Sequence, residues 1–196
     1  MIQRPYTSHA EDTALVEAYR SGDELAFKTL LEKHLGSIYA FVFQLVRDGA
    51  VAEDLAQETF VKVWRHLDRY DARKPFRTWL FAIAKNTAYD WLKKKRAVPF
   101  SAFLTDGAET PFENIPDSEP LPIELLMRED AAAEVNQALG RLTEHSRSLI
   151  VLVYQEGFSL HEAADILGEP YNTVKSRHQR AIQELRARLS SASGTE

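Results

Sequence analysis

Apolar residues in this chain recur every three or four positions, and no stretch alternates apolar with polar as a half-buried strand does. The expected architecture is therefore all-α. "SGDE" at 21–24 reads as a capping box, with Ser21 as N-cap and Glu24 three residues on. The helix that follows sets Leu25, Phe27, Leu30 and Leu31 at helical spacing. "SIYAFVFQLV" is apolar almost all round, which suits the middle of a bundle. "RDGAVAEDLAQETFVKVWRHL" opens with a turn at Asp48-Gly49 and carries Glu53 and Asp54 early, where carboxylates favour the helix dipole. "KPFRTWLFAIAKNTAYDWLKKKR" starts at Pro75, fit for a first helical turn, and ends in cations.

The period is lost once. Pro99, Pro111, Pro116, Pro120 and Pro122 punctuate a segment with no sustained spacing, which reads as an extended linker. Helices resume near Ile123. "TEHSRSLIVLVYQEG" is closed by Gly157, and Ser159 and Glu162 stand in capping-box register for a short helix ended by Gly168. Glu169-Pro170 then opens the last helix, with Pro170 in its first position. The expected organisation is two small helical domains, 1–96 and 123–196, joined by an acidic flexible linker over 97–122.

Charge supports that division. The formal net charge is −5. Arg69, Arg73, Lys74, Arg77, Lys85, Lys93, Lys94, Lys95 and Arg96 nevertheless crowd into one stretch against Asp71 and Asp90. From Ala97 to Asp130 acids dominate, and the C-terminal helix is basic again. A solvated helix face explains any one such run. Two basic blocks, the first with tryptophans beside it, fit nucleic acid better. There is no cysteine, which excludes disulfides and thiolate zinc sites. The N-terminus lacks a signal-peptide core and the longest apolar runs fall short of the ~20 residues that span a bilayer. The expectation is a cytoplasmic protein with no membrane insertion.

A short helix, a glycine turn and a basic second helix form a helix-turn-helix pattern. Val174, His178, Ala181 and Leu185 make the inward stripe of the second helix, leaving Asn172, Lys175, Ser176, Arg177 and Arg180 to face away. Residues so placed reach base edges in the major groove, while flanking cations meet phosphates. A solvated basic C-terminal helix would share this spacing.

"EGFSLHEAADILGEPYNTVKSRHQRAIQELRARL" closely resembles the C-terminal DNA-binding domain of bacterial RNA polymerase sigma factors, above all the extracytoplasmic-function (ECF) class, through the run T-V-K-S-R after L-G. "AEDLAQETFVKVW" resembles that family's segment that docks on the β′ clamp helices, and "FRTWLFAIAKNTAYDWLKKKR" its promoter-melting helix. The resemblance spans about Thr13 to Leu189. It implies core-polymerase contacts at Glu53, Asp54, Gln57, Glu58 and Trp64, and −10 element contacts at Arg73, Lys74, Phe76, Trp79, Lys85, Asn86 and Lys93. It further implies −35 contacts at Tyr171, Asn172, Lys175, Ser176, Arg177 and Arg180. The implied partners are core RNA polymerase (its β′ clamp helices and β flap), promoter DNA and an anti-sigma factor, with no cofactor.

The residues alone leave alternatives. Trp79, Phe81 and Trp91 fit a bundle core as well as a base-stacking surface. Glu53, Asp54, Gln57 and Glu58 could serve only the helix dipole. Catalysis has little to stand on: the histidines are scattered, the i+4 partner of His161 is Asp165 and so gives no two-histidine zinc helix, and no glycine-rich phosphate loop occurs. Neither an enzyme nor a metal site is expected. A helix-turn-helix regulator that is not a polymerase subunit, and a helical interaction adaptor, are the competing readings.

Overall fold

The computed structural model describes residues 9–96 and 132–192. Four helices form the N-terminal region: α1 (His9–Arg20), α2 (Glu24–Val46), α3 (Gly49–His66) and α4 (Phe76–Arg96). A 3-10 turn over Leu67–Arg69 follows α3. The C-terminal region holds α5 (Ala132–Arg141), α6 (Glu144–Ile150) with a π turn over Val151–Gln155, α7 (Leu160–Leu167) and α8 (Tyr171–Ala192). No strand occurs among the described residues. The linker expected over 97–122, and the helix expected to resume near Ile123, lie outside them.

The helix ends follow ordinary capping chemistry, with two corrections to the sequence reading. Asp23, not Ser21, caps α2 by accepting from the Leu25 amide. Ser21 is occupied in ending α1, its hydroxyl donating to the Glu17 carbonyl, and Gly22 takes a φ of 103° to turn the chain. Likewise Asp48 caps α3 through the Val51 amide. Glu53 and Asp54 therefore lie beyond the first turn, where the dipole gives little reason for them. The capping box at Ser159 and Glu162 forms as expected, and Gly168 closes α7 at φ 72°. Gly157 also adopts positive φ, 73°.

The core of the N-terminal bundle is built from Ile38, Phe41, Phe60, Leu80 and Phe81, all buried. The same hydrophobic cluster runs on through Leu149, Leu152, Phe158, Ala163, Ile166 and Leu167 of the C-terminal region. A smaller cluster of Val135, Leu139, Leu142, Ile150, Ile182 and Leu185 ties α5, α6 and α8 together. The two regions expected as separate domains are thus packed against one another. Arg147, itself buried, reinforces the join. Its guanidinium donates to the Leu139, Gly140 and Leu142 carbonyls at 2.9, 3.0 and 2.9 Å and to the Leu45 carbonyl of α2 at 3.2 Å.

Helix α1 is fastened to α2 by a buried polar cluster. Asp12, 1% exposed, meets Nε2 of His34 at 3.1 Å and Nζ of Lys33 at 2.8 Å. Burial pushes the Asp12 carboxyl up, but His34 and Lys33 pull it down further, and the net displacement is downward from 3.8. A carboxylate depressed in the folded state stabilises the fold above its ordinary value, and that stabilisation is lost as pH falls through the folded value. Thermal melts should therefore fall more steeply below about pH 4 for the wild type than for Asp12→Asn. At pH 7 the same substitution should cost about 2–4 kcal/mol, because it leaves Lys33 and His34 without their buried partner.

Candidate nucleic-acid and polymerase interfaces

The face of α3 away from the bundle carries Glu53, Asp54, Gln57, Glu58, Val61 and Trp64, all exposed, Trp64 at 55%. Trp64 is steadied by its indole N–H, which donates to the Tyr19 hydroxyl at 2.7 Å. Glu58 pairs with Lys62 at 2.8 Å, and Lys62 in turn donates to Thr87 of α4. The result is an apolar strip rimmed by carboxylates, the form of a helix-to-helix docking surface. Val61 belongs to this strip. Its i−3 and i+3 spacing to Glu58 and Trp64 was the signal for it in the sequence.

The segment between the 3-10 turn and α4 is stiffened before any ligand arrives. The Asp71 carboxylate accepts from the Arg73 amide at 3.1 Å and from the Arg73 guanidinium at 2.9 Å. That hydrogen bond holds Asp71 down at about 2. The Tyr70 hydroxyl donates to the Lys74 carbonyl. Arg73 and Lys74 are exposed, as are Asn86 and Lys93 further along. Phe76 is not: at 1% exposure it is packed against His34, Tyr70 and Trp79 at ring separations of 5.7, 5.4 and 5.7 Å. Phe76, expected among the −10 contacts, is corrected to a core residue, because the aromatic cluster beneath the loop encloses it on several sides. Trp79 lies half-buried, 5.1 Å from Tyr70.

The inner face of α4 is a stripe of Arg77, Phe81, Lys85 and Tyr89 at four-residue spacing, and all four meet the C-terminal region. Arg77 donates to the Glu156 carboxylate at 2.6 Å and to its carbonyl at 2.8 Å, with its guanidinium 4.2 Å from the Phe158 ring centre. A π turn precedes Glu156, which is itself buried. Phe81 meets Phe158 edge-on at 5.0 Å. Lys85 is 9% exposed and donates to the Leu167 carbonyl at 3.2 Å, a cation on the negative end of α7. Burial lowers its pKa, against an opposing pull from Glu169. Tyr89 bonds Ser148 at 2.7 Å, and burial pushes its hydroxyl up to about 12. This stripe is the part of the site that sequence reasoning missed, apart from Lys85. Its only signal was the spacing, which a helix interior shares.

On α8 the inward stripe is Val174, Ala181 and Leu185, with His178 partly buried and stacked on Tyr154 at 5.7 Å. Burial lowers the His178 pKa. Asn172, Lys175 and Arg180 are exposed. Tyr171 stacks on His161 at 4.0 Å and is half-buried. The Ser176 hydroxyl turns back to the Thr173 carbonyl. Arg177 does not face outward as expected. It is ion-paired with Glu169 across the turn between α7 and α8, its side chain 16% exposed, because the Glu169 carboxylate is the nearest strong acceptor.

A helical chain with an acid-rimmed apolar strip, a rigid cationic loop and a helix-turn-helix has the parts of a protein that brings another macromolecule to DNA. Comparison with known proteins makes this specific. Residues 30–98 match the Sigma-70 region 2 family and residues 138–187 the Sigma-70 region 4 family. The chain is 30% identical over 176 residues to the ECF RNA polymerase sigma factor SigW of Bacillus subtilis, covering 89% of this chain and 94% of that one. With the RNA polymerase sigma-H factor of Pseudomonas aeruginosa the identity is 35% over 179 residues, 89% and 92% of the two chains. Among solved structures, CnrH in complex with the cytosolic domain of CnrY superposes with a TM-score of 0.67 at 28% identity, covering 92% of this chain and 98% of that one. RpoE from Bartonella quintana, solved with the anti-sigma factor NepR, gives 0.61 at 27% identity, covering 84% and 96%. The chain belongs to the ECF subfamily of RNA polymerase sigma factors, which are DNA-binding transcription initiation factors.

The seam on α4 makes a prediction of its own. Arg77→Ala and Glu156→Gln, alone and combined, form a double-mutant cycle in urea unfolding. The coupling energy should be about 1–3 kcal/mol, the worth of a part-buried charge-assisted bond. Zero coupling would mean that the pair contributes nothing to holding the two regions together.

Proposed function

We propose that this chain binds core RNA polymerase through the α3 strip and directs promoter-specific initiation. The loop at 71–75 and α4 meet the −10 element, and α8 meets the −35 element. The observation that carries the reading is the presence of both Sigma-70 region 2 and region 4 in one chain, in the family's order. Asp54, Gln57, Val61 and Trp64 supply the polymerase contact, with Glu53 and Glu58 as its charged rim. Arg73, Lys74, Asn86 and Lys93 are the exposed residues on the −10 side. Asn172, Lys175 and Arg180 are those on the −35 side. The region-2 part over 9–96 and the region-4 part over 132–192 work as separable units. The chain performs no bond chemistry and acts in the cytoplasm beside the polymerase.

Lys85 enters the DNA interface only when the seam between the regions opens, whereas Arg177 must exchange a partner within its own region. In the packed arrangement one donates to Leu167 and the other pairs with Glu169. Docking of α3 on core polymerase would draw the regions apart and free Lys85, while Arg177 would exchange Glu169 for DNA. The net charge of −5 also disfavours DNA binding by the free chain, since that binding depends on cations releasing counterions. RpoE from Bartonella quintana was solved with the anti-sigma factor NepR, and a partner of that class is proposed for this chain.

Run-off transcription by core polymerase tests the proposal. Specific transcripts should require this chain, and Asp54→Lys combined with Gln57→Ala should weaken core affinity about tenfold or more while helicity is retained. Arg177→Ala should flatten discrimination at one or two −35 positions by about 1–3 kcal/mol, whereas Arg188→Ala should weaken all promoters evenly. Tight sequence-specific binding by the free chain, with no stimulation of core polymerase, would favour a regulator that is not a polymerase subunit.

A further inference from the structure

The 71–75 loop owes its shape to a residue that lies outside both matched segments. Arg20 is the last residue of α1. Its Nη2 donates to the carbonyls of Leu67 at 2.7 Å, Asp68 at 3.2 Å and Tyr70 at 2.7 Å. These carbonyls end the 3-10 turn, where the chain leaves α3 and sets out toward the loop. One donor shared by three acceptors makes them converge on a single point, which sets the direction in which residue 71 departs.

From there the constraint passes along the loop. Tyr70, whose carbonyl Arg20 holds, is buried between Phe76 and Trp79, and its hydroxyl reaches forward to the Lys74 carbonyl. The loop is thus fixed at both ends by one residue. Asp71 then organises Arg73 through its amide and guanidinium. Arg20 bonds these carbonyls through Nη2, and the residue as a whole remains exposed. Its removal does not detach α1, which is held by the Asp12 cluster, by buried Val16, and by Tyr19 packing on Phe27 at 5.4 Å.

We propose that Arg20 is the positioning residue for −10 recognition: by gathering the carbonyls of Leu67, Asp68 and Tyr70 it presets the loop that displays Arg73 and Lys74. This rests on the reading of the 71–75 loop as the segment facing the −10 element. The general principle is preorganisation, in which ordering a loop before binding removes the entropic cost of ordering it on the ligand.

The test is run-off transcription by reconstituted holoenzyme on a cognate promoter and on panels of single-base −10 and −35 variants. Arg20→Ala should lower discrimination across the −10 panel about tenfold, the scale of one lost base contact. The −35 panel should be unchanged and core affinity should stay within about twofold, well inside the tenfold scale of a lost contact. Arg20→Lys, which restores a cation near the carbonyls, should recover most of the loss. Arg20→Gln serves in place of the alanine variant should that one fail to fold. Discrimination within about twofold of wild type, or an equal loss on both panels, would overturn the proposal. Arg73→Ala and Lys74→Ala run alongside. If they too leave −10 discrimination intact, the reading of the loop is wrong and the role of Arg20 falls with it. If they abolish it while Arg20→Ala does not, only the role of Arg20 falls.

Discussion

A single buried guanidinium sets the relation between the two halves of this protein. Arg147 places its donors on the last carbonyls of α5 and on the Leu45 carbonyl near the end of α2. Both helix ends carry the partial negative charge of the dipole, so the cation is held by backbone rather than by a carboxylate. Burial lowers its pKa, and the neighbouring charge of Arg47 adds to that. Each hydrogen bond to such a cation contributes on the order of 1.5–3 kcal/mol, while the unsatisfied carbonyls left by its loss would each cost about 1–3. Arg47 completes the join by donating to the Asn136 carbonyl at 3.0 Å, and Gly140 leaves room for its guanidinium. Further contacts between the regions run along α4 and from Gln44 of α2 to Asn136.

The α4 seam mixes strong and weak elements. Phe81 and Phe158 contribute area and a ring contact of about 0.5–1.5 kcal/mol. Arg77 and Glu156 bring direction but carry a desolvation cost, so their net contribution is smaller than their geometry suggests. Lys85 is the least settled: its ammonium has a carbonyl at 3.2 Å and a ring at 5.6 Å, and burial works against its charge. A cation held so loosely gains by moving to a phosphate. Under the proposed function the same face would serve two ligands in turn, first the C-terminal region and then DNA. A seam made only of apolar residues would be stable closed and useless open.

Much of this was legible from the sequence, for physical reasons that differ by element. The helix-turn-helix was the clearest, because its capping box, Gly168 and the Val174-Ala181-Leu185 stripe are each local signals pointing the same way. The α3 strip was suggested only by the family resemblance, since the residues alone allowed Glu53, Asp54, Gln57 and Glu58 to serve the helix dipole. The cap at Asp48 is what moves Glu53 and Asp54 beyond the first turn. The cap of α2 was misassigned, since Ser21 and Asp23 both suit an N-cap and only the three-dimensional path of α1 decides between them. Phe76 was expected among the −10 contacts through the family resemblance, yet Tyr70 and His34 pack against it in the core. Arg177 and Arg77 were hidden for a common reason: an arginine on a helix face reads as solvated until its partner, distant in sequence or across a turn, is known. Arg20 gave no signal at all, because its three partners are backbone carbonyls of residues 67, 68 and 70.

The central claim is that one face of α4 is occupied by the C-terminal region in the free chain and released when the chain joins the polymerase. The sequence contains no cysteine, so spin labels can be placed cleanly at Lys28→Cys on α2 and Gln183→Cys on α8, both exposed positions. Pulsed electron resonance should give one narrow distance distribution for the free chain. Addition of core RNA polymerase should replace it with a longer one, and Asp54→Lys should prevent the change. A distance that stays the same in an active holoenzyme would contradict the account, because Lys85 would then remain shut in the seam while the promoter is being read.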